Sequence, residues 1–219
     1  MSDYPATGTL LLRLVGPMQS WDTRSKHTER DTDMEPSKSG IIGLLCAALG
    51  RRRTAPINDL AELKMGIRID KPGSKQPDLQ TAMDVLQVKG DTRSVYSTRY
   101  YLADAAFLVG LYGEAGLLRL LHAALRDPVW PLYLGRKAFV PGDPIWIEDG
   151  LVFGEDFETA LRTYRWHPRP GQEKPGLLKL ILEDVHGDEV RFDHPISFQS
   201  NDRRFAPRRM KVEWISPPG

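Results

Sequence analysis

The sequence predicts an α+β fold, and three observations carry the prediction. Short apolar runs of strand length occur at 9–15, 63–69 and 105–112. Two segments dense in Leu, Ile and Ala, opening at Pro36 and Ala115, have the length and spacing of helices. Between the second and third runs, two alternating stretches at 80–89 and 92–101 flank Gly90-Asp91, which is a hairpin signature.

In chain order, Thr9 to Val15 (TLLLRLV) reads as a buried strand stopped by Gly16-Pro17. Gln19 to Glu35 is polar without a usable period and reads as a long surface loop. Pro36-Ser37-Lys38-Ser39 opens a deeply packed helix, Gly50 supplies its stop, and Arg51 to Arg53 suit a helix C-terminus, which welcomes positive charge. Leu63 to Ile69 alternates as a half-buried strand, and Lys71 to Asp78, with two prolines and a glycine, reads as a loop. The hairpin follows and is read as polar on both faces. Ala105 to Tyr112 is a core strand, and Ala115 to Leu125 a helix with Leu117, Leu118, Leu120, Leu121 and Leu125 on one side, ended by Asp127-Pro128.

This order makes most of a ferredoxin-like (RRM-like) split βαβ unit within residues 1–130, with 79–101 as an inserted β-hairpin. Residues 131–219 hold many prolines and glycines around short strand candidates at 177–182, 189–192 and 210–215. They predict a smaller β-rich C-terminal portion packed on the first.

Composition narrows the function classes. The chain has 219 residues, with 30 Lys and Arg against 29 Asp and Glu, and one cysteine. A lone Cys46 excludes an internal disulfide framework and any zinc site built on paired Cys, so a reducing, cytoplasmic setting is expected, and Cys46 itself reads as inert. The longest apolar stretches fall short of a membrane span, and the start has no signal-like core. The near-neutral sum hides segregation. Gln199 to Lys211 carries Arg203, Arg204, Arg208, Arg209 and Lys211 against Asp202, whereas Glu148 to Glu158 holds five acids and no base.

Several basic segments carry chemistry suited to nucleic acid. The Pro-Ser-Lys-Ser-Gly opening offers free amides at a positive dipole end, supplemented by Ser37, Lys38 and Ser39, an arrangement that fits phosphate. It lacks the spacing of a P-loop, so nucleotide hydrolysis gains no support. Lys89, Arg93 and Arg99 interleave with Tyr96, Tyr100 and Tyr101 in the hairpin, the pairing of cations and rings that single strands reward. Trp21 in the loop facing the helix, Arg24 beside it, and the basic turn Tyr133-Leu134-Gly135-Arg136-Lys137 add candidate contacts, with core packing and plain surface as the alternatives. Histidines show no metal-ligand spacing, and no cofactor is expected. Lys26-His27 could act as an acid/base pair on a phosphodiester, but a solvated loop is the stronger reading.

Four motifs in order carry a family resemblance: Leu11 to Trp21 (LLRLVGPMQSW), Pro36 to Leu45 (PSKSGIIGLL), Tyr100 to Ala105 (YYLADA) and Pro131 to Lys137 (PLYLGRK), with a weaker echo from Arg203 to Ile215. The chain resembles the CasD family, subunits of the type I-E CRISPR surveillance complex Cascade. The resemblance implies a ferredoxin-like domain whose hairpin is a protruding thumb, gripping the 5′ handle of a guide RNA (crRNA) and packing on the backbone subunit CasC, with CasA nearby. Target DNA would be met only through the complex. It implies no enzymatic task, since CasE cuts the precursor. The alternative is a metal-independent endoribonuclease, the task of type I-C relatives. Implied RNA contacts are Gln19, Trp21, Arg24, Ser37, Lys38, Ser39, Lys89, Arg93, Tyr96, Arg99, Tyr100, Arg136, Lys137, Arg203 and Arg204. Two departures stand out: Asp22 replaces the usual glycine, and Ser37 the more usual threonine.

Overall fold

The computed structural model describes residues 5–22, 29–88, 90–167 and 171–218. In chain order, β1 (Thr7–Val15), β2 (Met18–Gln19) and β3 (Glu29–Arg30) precede α1 (Lys38–Ala48) and α2 (Asn58–Ala61). Next come β4 (Lys64–Lys71), β5 (Ser74–Leu86), β6 (Thr92–Ala103), β7 (Ala106–Glu114) and α3 (Ala115–Arg126). The chain closes with β8 (Leu151–Val152), α4 (Phe157–Thr163), β9 (Leu178–Glu183), β10 (Glu189–Ser197) and β11 (Arg204–Ile215). The architecture is mixed α and β, rich in strands, with antiparallel sheets.

The main sheet runs β10-β11-β9-β4-β7-β1-β8. β1 and β4 both pair antiparallel with β7, so they are mutually parallel, and α1 crosses between them. The portion from 131 onward builds no sheet apart: β8 joins β1 at one edge, and β9 pairs with β4 on the other side. Both portions therefore share one sheet.

Apolar side chains on both faces explain the unbroken run in β1. Leu10, Leu12 and Leu14 pack into the layer holding α1 and α3, while Leu11 turns to the opposite face under α4. There the register partners Gly66 and Gly110 form a dimple. A Cβ at Gly66 would come within 2.5 Å of the Leu161 side chain, so these glycines let α4 lie close to the sheet.

Burial on two faces corrects the half-exposed reading of β4. Arg68, a polar position of the alternating run, is fully buried. Its Nε donates to Asp70 Oδ1 at 2.6 Å, and Nη1 donates to the carbonyls of Leu161 at 2.9 Å and Tyr164 at 2.5 Å. It closes the C-terminal end of α4, whose free carbonyls need donors. Burial holds the Asp70 carboxyl above its usual range, partly offset by Arg68. α4 itself escaped the sequence reading because its acids looked like a charge run; Asp156 is its N-cap, accepting from Thr159 N at 2.8 Å.

A second sheet is organised around β6, which pairs with β5 on one side and with β2 and β3 on the other. β5 starts at Ser74, so the expected loop over 71–78 is largely strand. Pro77 is accommodated because β5 is an edge strand with no outer partner to serve. The hairpin is not polar on both faces either, since Leu79 is 80% and Tyr96 72% exposed, and Met83 and Leu86 are also exposed. In α3, Leu118, Leu121 and Leu125 are buried, but Leu120 faces outward.

Replacing Arg68 by Leu removes the donor that Asp70 and the two α4 carbonyls depend on. Breaking such a buried pair is expected to cost about 3–5 kcal/mol, read as a lowered urea midpoint. A loss under about 1 kcal/mol would show that the guanidinium is not a structural tie.

Candidate nucleic-acid interface

The predicted phosphate site at the start of α1 is already filled by the chain itself. Ser37 caps the helix, its Oγ accepting from Gly40 N at 3.2 Å. The Lys38 amide donates to Asp193 Oδ2 at 2.8 Å, and Asp193 is buried on β10. The Lys38 ammonium is buried too and lies 3.0 Å from Glu183. Burial lowers its pKa, with Glu183 opposing that shift and Arg208 adding to it. Arg208 in turn donates to Asp193 at 2.6 and 2.9 Å. Lys38 and Arg208 are thus neutralised internally, and neither is available to an outside phosphate.

Gln19 and Trp21 are corrected in the same way. Gln19 is buried, its Nε2 donating to Leu14 O at 3.2 Å and Ala105 O at 2.8 Å, while its Oε1 accepts from Trp21 Nε1 at 3.1 Å. Trp21, 1% exposed, packs against Gly40, where a Cβ would sit 2.9 Å from the ring. Both residues brace the strand-to-helix junction, so Trp21 offers no ring for stacking.

The open cleft lies one layer outward. Ser20, Asp22, Arg30, Arg53, Arg136 and Arg203 line it, with Ser37 and Ser39 at its inner wall. Gly135, at φ +92°, makes this possible: a Cβ there would lie 1.7 Å from Ser20 O, so only glycine lets the turn close on β2. The contact is sealed by Ser20 N donating to Leu134 O at 3.1 Å. The turn then projects Arg136, whose Nη2 donates to Arg30 O at 3.2 Å. Arg30 is the register partner of Arg99 on β6.

Three guanidiniums are consequently gathered on neighbouring backbones. Arg99 Nε and Arg136 Nη1 are buried without a hydrogen-bond acceptor in the structure. Burial, and then the charge of Arg99, push the Arg136 pKa down, while Asp22 and Asp78 pull it up. Donors that are desolvated, like-charged and unpaired favour an anion between them.

The remaining expectations separate cleanly. Arg93 and Tyr96 lie farther up the hairpin, exposed, and Tyr100 is half-buried beneath the Lys75 ammonium, 4.9 Å from the ring centre. Lys137 is exposed outside the cleft. Arg204 pairs with Asp202 at 2.7 Å, Lys211 with Glu213, and Arg209 donates to Gly187 O, so of the basic run only Arg203 reaches the cleft. Arg24, Lys26, His27 and Lys89 lie outside the described residues. Among the described residues no cluster of three or more His, Cys, Asp or Glu could hold a metal, and no helix is long and apolar enough to cross a membrane.

Sequence reasoning missed Arg30 and Arg53. Arg30 had no signal, being one charge in an aperiodic loop. Arg53 belonged to the triple Arg explained as a helix terminus, yet Arg51 pairs instead with Asp59 of α2, at 2.7 and 2.5 Å, and Arg53 lines the cleft. A run of three exceeded what one terminus uses.

Comparisons with known proteins point to one family. The family description "CRISPR-associated protein (Cas_Cas5)" matches residues 9–211. The chain is 28% identical to the CRISPR system Cascade subunit CasD of Escherichia coli (strain K12), over 93% of this chain and 94% of that one. Among solved structures, it is similar to a Cas protein crystal structure at TM-score 0.78 and 42% identity, covering 96% and 98% of the two chains. It is also similar to a chain of a CRISPR RNA-guided surveillance complex at TM-score 0.79 and 33% identity, covering 96% and 91%.

The Asp193 clamp makes a prediction of its own. Burial raises the Asp193 pKa, but the Arg208 hydrogen bonds and charge more than offset this and leave it below the usual carboxylate value. A depressed pKa gives stability that is present above about pH 4 and lost as pH falls through the lower folded value. Asp193→Asn is therefore expected to lose about 3 kcal/mol at neutral pH and to show a flatter decline than wild type in urea unfolding below about pH 4. Parallel acid profiles would contradict the clamp.

Proposed function

Since the chain belongs to the CRISPR-associated Cas_Cas5 family, we propose that it is a noncatalytic subunit of a CRISPR RNA-guided surveillance complex, binding and capping the 5′ handle of the guide RNA. The observation that carries the proposal is the convergence of Arg30, Arg99 and Arg136, with unpaired buried N–H groups on the last two, beside Arg53 and Arg203. A bent single strand suits this cleft because it brings phosphates close together and splays its bases outward. The strand order β8-β1-β7-β4, with α1 after β1 and α3 after β7, supports the ferredoxin-like reading.

The hairpin fits the role of a thumb. β6 sets Arg93 and Arg99 on one face and Tyr96 and Tyr100 on the other, and the register places Leu79 and Leu86 on the aromatic side. A cationic face toward RNA leaves the apolar one to pack on the backbone subunit CasC, with CasA adjacent in the assembly. Target DNA would be engaged by the complex, in the cytoplasm. Arg93 and Lys137 remain proposed contacts for RNA that extends beyond the cleft, whereas Tyr96 and Tyr100, expected as RNA contacts, lie on the face turned to CasC.

Binding of the 5′ segment of the guide RNA, titrated over a salt series, tests the proposal. Two single-strand phosphate contacts contribute a salt slope of about 1.4. Arg99→Ala with Arg136→Ala should lower affinity and reduce the slope by about that amount. Unchanged affinity and slope would remove the cleft from the RNA path.

A further inference from the structure

The arginine cleft does not end at Arg203 but runs into a second cavity along the outer face of α1. The two share Ser39, Gly40, Arg53, Gly135 and Arg203 as lining. This second cavity has a volume of about 280 Å³, at the small end for sites that take compact organic ligands. Gly43 and Cys46 form its floor, and Trp130, Tyr133 and Phe198 stand around it. Trp130 and Tyr133 are 41% and 38% exposed, so part of each ring is open to a ligand in the cavity.

Gly43 is the informative residue. It lies in mid-helix, where glycine is unfavourable, and a Cβ there would meet nothing within 4 Å. No neighbour in the fold requires its smallness. Gly40, one turn earlier, is needed by Trp21; Gly43 only keeps the cavity open. At the rim, Arg52 and Arg53 form no ion pair among the described residues, in contrast to Arg51. The cavity thus combines flat rings, an open floor and spare cations at the end of the arginine cleft.

Resting on the reading of the cleft given above, we infer that the α1 cavity holds one unstacked base of the guide strand. The base lies over Gly43 and against Tyr133 or Trp130, and Arg52, Arg53 and Arg203 meet the phosphates that flank it. Stacking on rings combined with pairing to arginines is how proteins hold a splayed nucleotide. Continuity with the cleft favours a base over a protein side chain from a neighbouring subunit, which would have no need of the shared cationic lining.

The test uses the full chain and the 5′ segment of the RNA that co-purifies with it, resynthesised intact and with one abasic position at a time. In wild type, one abasic position should weaken binding about tenfold and the others far less. Gly43→Leu fills the cavity and should weaken the intact RNA by a similar factor, leave the salt slope unchanged, and make that same abasic position cost nothing further. Its melting temperature should be unchanged or higher, because leucine favours a helix more than glycine does. Tyr133→Ala should reproduce the selective loss. The inference is overturned if Gly43→Leu binds intact RNA as wild type does, or if every abasic RNA retains its full penalty in that variant. Either result, with Arg99→Ala and Arg136→Ala still losing affinity and slope, would discard the base cavity while leaving the cleft. Loss of affinity for a neighbouring subunit alone would likewise overturn it in favour of a protein occupant.

Discussion

The rest of the structure depends on one buried carboxylate. Asp193 accepts from the first amide of α1 and from Arg208, so it ties the start of the first helix to β10 and β11. That tie fixes α1 along the sheet and with it the orientation of the helix. Gly40 receives Trp21, and Gly43, one turn on along the same side, faces the open cavity. It also decides where an external anion can go. A helix start that already holds a carboxylate has spent its dipole and an amide internally, so unsatisfied donors are found a layer outward, on Arg99 and Arg136.

Net charge was a poor guide to this surface because many of its charges are paired at short range. Arg208, Arg204, Lys211, Arg162 and Arg191 each have an acidic partner. What distinguishes the cleft is the lack of that pairing rather than an excess of cations over the whole chain. Asp22 tempers it, lying near enough for its charge to raise the Arg136 pKa. A carboxylate in the lining weakens the local field, so it lowers the cleft's attraction for an anion.

Much of the scaffold was legible in the residues. TLLLRLV, the two leucine-rich helices and the Gly90-Asp91 turn each obey a local rule, and the structure follows them at β1, α1, α3 and the β5–β6 pair. The site was less legible because its pieces are joined by register and by close backbone approach, which no local pattern records. Gln19 and Trp21 sit inside a motif shared with the resembled family, and motif membership cannot separate a residue that builds a site from one that touches the ligand; their hydrogen bonds do. Arg68 failed for the opposite reason. An Arg in an alternating strand reads as solvent-facing, and the Asp70 carboxylate and the carbonyls at the end of a helix far along the chain together make its burial tolerable.

The hairpin illustrates how one strand can serve two partners. An isolated two-stranded ribbon is marginal in water, and this one is anchored at its base, where Leu102 is buried and Tyr101 packs 6.1 Å from Phe139 between ring centres, and by β3 pairing at Thr98 and Arg99. Beyond that base its apolar side, with Leu79 and Tyr96 exposed, gains nothing from the fold of this chain. Its other side carries Arg99, the register partner of the cleft residue Arg30. Because adjacent residues of β6 point to opposite faces, a contact that orders the apolar side also limits the motion of the strand carrying Arg99. Occupation of the two faces is therefore physically linked: a surface that covers Leu79 and Tyr96 lowers the entropy cost of closing the arginines on an anion.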